Sequence, residues 1–210
     1  MLKQIILLAG PTASGKSKLA IHLAKKLNGE IINADSMQAY KEFSILSSRP
    51  DKQEVKKVKH HLYGFISVQK HFSAGEWLNL AKKKIANCHK KKKIPIIVGG
   101  TGLYFNTITK GISKIPAIDK NTRKKTRNLF KNLGYKKFYK ELIKIDPKSK
   151  DKILSTDSQR SQRAYEVYLK TKKSLFDWIS NTKFEFSGYE KKKIYIDIPR
   201  DELLKKISSR

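Results

Sequence analysis

The chain has 210 residues, a net charge of +29 from 47 Lys and Arg against 18 Asp and Glu, and one cysteine, Cys88. That length fits one domain or one domain with an appendage, and the lone cysteine excludes a disulfide framework or a multi-cysteine zinc site. The charge points to a polyanion partner, although only seven of the basic residues are arginines, and a Lys-, Ile- and Asn-rich chain also follows from A/T-rich codons.

Ile5 to Ala9 forms an apolar run expected to be a strand buried on both faces. Gly10-Pro11-Thr12-Ala13-Ser14-Gly15-Lys16-Ser17 follows, and then a helix with Leu19, Leu23 and Leu27 on one face, which Gly29 is expected to end. Glu30–Ser36 and Lys93–Gly102 contain the next two strands. Ser73 and Glu76 read as a capping box, with Phe72 and Trp77 as its hydrophobic staple, so Ser73 and Glu76 are assigned no catalytic role. The alternation predicts a P-loop-type α/β three-layer sandwich with a parallel sheet. Residues 118–185 are helical, Lys-rich and aromatic, and residues 186–210 return to strand and helix. The predicted organisation is an α/β core over 1–117, a helical insertion over 118–185, and a core return over 186–210 that reads as truncated within its last helix. No apolar stretch reaches the roughly 18 residues of a membrane span, and the N-terminal run leads straight into the glycine motif. A cytoplasmic, monomeric protein with no membrane partner is expected.

The segment Gly10–Ser17 has the phosphate-loop pattern. Its glycines let backbone N–H groups surround an anion at a helix N-terminus. Lys16 neutralises phosphate oxygens and Ser17 can ligate Mg²⁺. An NTP hydrolase calls for a second acid at a strand end, yet the strand Ile94–Val98 runs into Gly99-Gly100-Thr101-Gly102. Those glycines suit close backbone approach to a ligand or a simple tight turn, and Thr101 offers a hydroxyl. Asp35 follows its strand and reads as a general base for an attacking amine or hydroxyl, or as a cap. Strand ends gather ligands in such sheets, so Gly10–Ser17, Asp35–Gln38 and Gly99–Tyr104 should share one crevice. Further on, Gln159-Arg160 and Gln162-Arg163 recur at a spacing of three and share a helical face; they suit nucleic acid or ordinary solvation.

The ordered blocks GPTASGKS, NADSMQAY, HHLYG, GGTGLYF and DSQRSQRAYEVYLKTKKSLFDW resemble the tRNA dimethylallyltransferase (tRNA isopentenyltransferase) family across essentially the whole chain. The resemblance implies transfer of a dimethylallyl group from dimethylallyl diphosphate to N6 of the adenosine 3′ of the anticodon. It implies that Gly10–Ser17 grips the donor's diphosphate with Mg²⁺, and that Asp35 takes the N6 proton. Thr101 would sit near the bridging oxygen, and Ser36, Met37 and Gln38 at the flipped adenosine. Gln159, Arg160, Ser161, Gln162 and Arg163, with Arg123, would bind the anticodon stem-loop of tRNA. Leu46-Ser47-Ser48-Arg49-Pro50 departs from the family's Gly-Thr-Ala-Lys-Pro, and Arg is not a neutral replacement for Lys. Two other readings stay open: a small-molecule or nucleotide kinase using the loop for ATP, and an RNA-binding remnant without catalysis.

Overall fold

A computed structural model describes residues 3–182 and 184–209. Among these residues five strands, β1 (Lys3–Ala9), β2 (Gly29–Asn33), β3 (His60–His61), β4 (Ile94–Gly99) and β5 (Tyr189–Tyr195), form one parallel sheet in the order β3-β2-β4-β1-β5. The helices of this α/β unit are α1 (Lys16–Lys26), α2 (Lys52–Lys57), α3 (Ala74–Lys90), α4 (Gly102–Thr109) and, numbered in chain order, α8 (Arg200–Ser208).

The strand period of two decides which helix each residue meets. Ile6, Leu8, Ile31, Ile96 and Val98 cluster with Ala20 and Ala24 of α1. Ile5, Leu7, Ile32 and Ile97 are also buried and point to the opposite face. Glu30 alternates with Ile31 and meets Cys88 of α3 (Sγ to Oε2, 3.8 Å), which places α3 on that second face and completes the three layers. Each fully buried Ile or Leu contributes about 1.5–3 kcal/mol, so this two-sided sheet is the main source of the unit's stability.

The buried Glu30 requires partners. His61 Nε2 lies 2.6 Å from its Oε2, and Lys93 Nζ lies 3.3 Å from its Oε1. The carboxylate, imidazole and Cys88 thiol sit within 4.8 Å of one another. A 2.6 Å separation is a hydrogen bond, shorter than the about 3.3 Å between two ligands of one tetrahedral metal. The Lys93 ammonium supplies the positive charge here, so the group is an ion cluster joining β2, β3 and α3.

Three local expectations change. Gly29 does not end α1: Asn28 takes the left-handed position (φ 50°), and Gly29 opens β2, where a Cβ would stand 2.8 Å from the Ile94 carbonyl. The capping box forms at Ser73 and Glu76, but the proposed staple residues pair elsewhere. Phe72 packs edge-on to Phe65 (5.3 Å), and Trp77 stacks on Tyr104 (4.4 Å, 9°). Finally, α2 and the two-residue β3 lie where no element was expected.

The chain divides into two compact units, one formed by residues up to Lys110 and from Phe184 onward, the other by Gly111–Lys183. The second is helical: α5 (Lys120–Ile145) breaks at Gly134 (φ 68°, ψ 172°), and α6 (Ser158–Thr171) and α7 (Leu175–Ser180) follow. Leu142, Ile153 and Ala164 form its core. Buried Asp146 accepts hydrogen bonds from Ser149 (2.8 Å) and Ser174 (3.0 Å), fixing the turn between α5 and α6 to the start of α7.

Candidate active site

β1 delivers the phosphate loop. Ala13 (φ 58°) and Gly15 (φ 83°) are both left-handed, and Gly15 is the N-cap of α1. Alternating handedness turns successive amides to one side and makes an anion cradle, continued by the N–H groups at the start of α1. Gly15 takes this conformation without cost, whereas Ala13 takes it at roughly 1–2 kcal/mol. Ser14 folds inward and is buried; a Cβ on Gly10 would stand 3.0 Å from its Oγ. Lys16 reaches back across the loop, its ammonium donating to the Pro11 carbonyl and standing 3.5 Å from Ser14 Oγ.

Residues Thr12 to Lys18 line a cavity of about 540 Å³ together with Asp35, Gln38, Gly99 and Gly100. All three polar clusters at the strand ends therefore contribute to one crevice. Asp35 Oδ1 accepts from the Met37 amide (2.9 Å), while Asn33 brackets the Asp35 backbone with two 2.8 Å hydrogen bonds. Thr101 caps α4 and ties the two strand ends together. Its Oγ1 accepts from the Ser36 amide (2.9 Å) and lies 3.4 Å from Ser36 Oγ, and its own amide donates to Ala34 (3.1 Å).

Gly99 lines the cavity and also meets a demand of the chain's own packing. A Cβ there would collide with the Ala34 carbonyl group and stand 2.7 Å from the Asp35 amide, so the chain's own backbone occupies the space. The cause is the β2–β4 ladder, which continues past the strands through Ala34 N–H to Val98 C=O at 2.7 Å. At Gly100 a Cβ would make only ordinary contacts, 3.6 Å to Gly10 O and 3.9 Å to Asp35 Oδ2.

The Gln38 amide is engaged within the chain. Its Nε2 donates to the carbonyls of Ser47 (2.8 Å) and Ser48 (3.2 Å), holding that loop at the cavity. Arg49 lies against the carbonyls of Tyr40 (3.3 Å) and Lys41 (3.4 Å) and over Gly64, while Ser47 and Ser48 line the cavity. Met37 is half exposed. The sequence reading missed Glu54, Tyr63 and Lys206, which also line the cavity. Tyr63 fell within the HHLYG block; nothing local marked the other two. Burial, then the charges of Asp35 and Glu54, pushes the Tyr63 phenol well up. Burial, with the charges of Tyr40, Asp35 and Glu76, raises Tyr104 to about 12. Both phenols stay protonated beside the carboxylate at neutral pH.

In the helical unit, Gln159, Arg160 and Arg123 are exposed, and Gln162 and Arg163 are half-buried. Arg160 pairs with Asp157 (3.2 Å) and Arg163 with Glu166 (3.7 Å). Ser161 does not join this surface: it is buried, because it lies on the α6 face that carries Ala164 and Val167 into the core. Tyr165 packs on Phe138 at 5.0 Å, as a core ring.

A family model described as IPP transferase matches residues 38–210. A tRNA dimethylallyltransferase of Pelagibacter ubique is 55% identical over 207 residues, covering 99% of this chain and 66% of that protein. One from Ehrlichia canis is 42% identical, covering 100% of this chain and 69% of that protein. The chain thus spans about two thirds of these relatives' length. Among solved structures, a eukaryotic dimethylallyltransferase acting on tRNA superposes with a TM-score of 0.80 at 29% identity, over 99% of this chain and 51% of that one. The full-length tRNA isopentenylpyrophosphate transferase of Bacillus halodurans gives 0.61 at 29%, over 99% and 64%. Sequence and fold agree along nearly all of the residues, and the chain belongs to the IPP transferase family.

Proposed function

We propose that this chain transfers a dimethylallyl group from dimethylallyl diphosphate to N6 of the adenosine 3′-adjacent to the anticodon in tRNA, releasing diphosphate. The carrying observation is a cavity lined both by the anion-binding loop and by Asp35. The diphosphate sits in the cradle of Gly10–Ser17, its charge opposed by loop amides, Lys16 and Lys206 at the cavity wall. The Ser17 hydroxyl supplies a hard oxygen ligand, which with the diphosphate's own oxygens suits Mg²⁺. When bound, Mg²⁺ adds positive charge at the leaving group.

As the C1–O bond of the donor breaks and the N6–C1 bond forms, the electron pair of the broken bond leaves on the diphosphate. Asp35 accepts the N6 proton and passes it to solvent. Fixed dipoles aimed at the leaving group are the largest expected source of acceleration. Reaching N6 requires the base to leave its stack, which costs a few kcal/mol. Support for an RNA substrate comes from the basic surface of α5 and α6, with Arg123, Gln159, Arg160, Gln162 and Arg163 as the proposed contacts.

The test is incubation with unmodified anticodon stem-loop RNA, Mg²⁺ and labelled dimethylallyl diphosphate, beside a parallel reaction with γ-labelled ATP. Label entering RNA from the prenyl donor alone is expected. Label from ATP means a kinase, and RNA binding without transfer from either donor means a non-catalytic binder.

A further inference from the structure

We propose that Asn33 is a positioning residue for this reaction, holding the Asp35 carboxylate in place by closing a hydrogen-bonded ring with the Asp35 backbone; the inference rests on the reading of Asp35 as the base. Asn33 is the last residue of β2 and has no exposed surface. Its Oδ1 accepts from the Asp35 amide at 2.8 Å, and its Nδ2 donates to the Asp35 carbonyl at 2.8 Å and to the Leu62 carbonyl at 3.0 Å. A side-chain amide in a buried strand is unfavourable unless its polar atoms are satisfied. Here both ends of the amide are committed, two of three bonds to one residue.

The consequence is geometric. With its backbone gripped on both sides, Asp35 keeps only its two side-chain torsions, and the Met37 amide fixes those through Oδ1 at 2.9 Å. The same ring is braced from below: the Trp77 indole donates to the Asn33 carbonyl at 2.7 Å and stacks on Tyr104. Tyr104 in turn donates its amide to the carbonyl of Thr101 at 2.9 Å. Asp35 and Thr101, 66 positions apart in sequence, are therefore referenced to one buried indole, with Asn33 as the link on the Asp35 side.

The test uses the full chain and labelled prenyl transfer. Asn33→Ala is expected to lower kcat by about 10- to 100-fold, the scale of an ångström-sized misplacement, with KM for dimethylallyl diphosphate unchanged. Asn33→Ser, whose hydroxyl can close a smaller ring with the Asp35 amide, is expected to recover most of the rate. On an Asp35→Asn background, Asn33→Ala should cause no further loss in the residual rate, since both changes remove one function. An equal loss on both backgrounds overturns the proposal. Should Asn33→Ala not fold, Asn33→Asp, equal in size but unable to donate to the two carbonyls, takes its place with the same expectations. If the unaltered chain transfers no prenyl group, the functional reading fails by itself. Hydrogen exchange at the Asp35 amide then still decides the positioning link: faster exchange in Asn33→Ala than in Asn33→Ser supports it, and equal protection overturns it.

Discussion

Replacing Gly99 with alanine tests the close approach of β4 to the segment after β2. The added methyl would occupy the place of the Ala34 carbonyl and stand 2.7 Å from the Asp35 amide, and both obstacles are backbone. No side chain can swing aside, so Ala34 and Asp35 have to move by roughly an ångström. Overpacking of this kind costs about 1–3 kcal/mol, and each kcal/mol lowers Tm by about 2–4 °C in a chain of this size. Because the displaced residue is Asp35, the rate of prenyl transfer should fall further than stability explains, by about 100-fold. Gly100→Ala is the matched control: its methyl meets nothing closer than 3.6 Å, and stability should stay within about 0.5 kcal/mol. Thermal melts and single-turnover transfer assays of both variants decide the matter. A neutral Gly99→Ala beside a damaged Gly100→Ala would refute the steric argument.

Other outcomes follow from the same geometry. Asp35→Asn should reduce kcat by about 100- to 10,000-fold while stem-loop affinity, measured by filter binding, stays near wild type; normal turnover would remove Asp35 as the base. Replacing Arg160 and Arg163 together by alanine should weaken RNA binding and flatten its salt slope by about 1–2, and an unchanged slope would take α6 out of the interface. Stability should fall on acidification. Burial holds the His60, His61 and His89 imidazoles below the ordinary 6.5, with Glu30 opposing this only at His61. Burial pushes the Glu30 carboxyl up, but its bonds to His61 and Lys93 together hold it below 4.5. Every one of these groups binds fewer protons folded than unfolded, so their stabilisation is complete above about pH 6.5 and lost as pH drops through the folded values. Urea midpoints should be lower at about pH 5.5 than at about pH 7.5, and a flat or rising trend would count against the assignment.

The layered fold and the phosphate loop were legible because their signals are local: buried strands as apolar runs, Gly15 and Lys16 at a fixed spacing. Convergence of Asp35, Gly99 and the loop was legible from the rule that strand ends share a crevice. What escaped was pairwise. Gly29 looks like a helix stop from its neighbours, and only the carbonyl of Ile94 across the sheet explains it. Gly99 looks like a turn or a ligand platform from its neighbours, and only the Ala34 carbonyl across the sheet shows why no side chain fits there. Ser161 lies between two Gln-Arg pairs, yet the α6 face it belongs to is set by packing, not by its neighbours. Lys206 enters the cavity from a helix 190 residues beyond Lys16, a distance no spacing rule bridges.

The pairing of β5 with β1 has a temporal side. Lys3 to Ala9 pair in register with Tyr189 to Tyr195, across a sequence separation of 186 residues. At about 5–20 residues per second, β1 is made roughly 10–40 s before this partner. During that interval an apolar strand offers an open edge, the kind of surface that recruits other chains. β4 covers its other side earlier, and the helical unit has its own core of Leu142, Ile153 and Ala164, so it can form while the sheet waits. Translation rate and chaperone access, more than final stability, should then govern the yield of this protein in a cell.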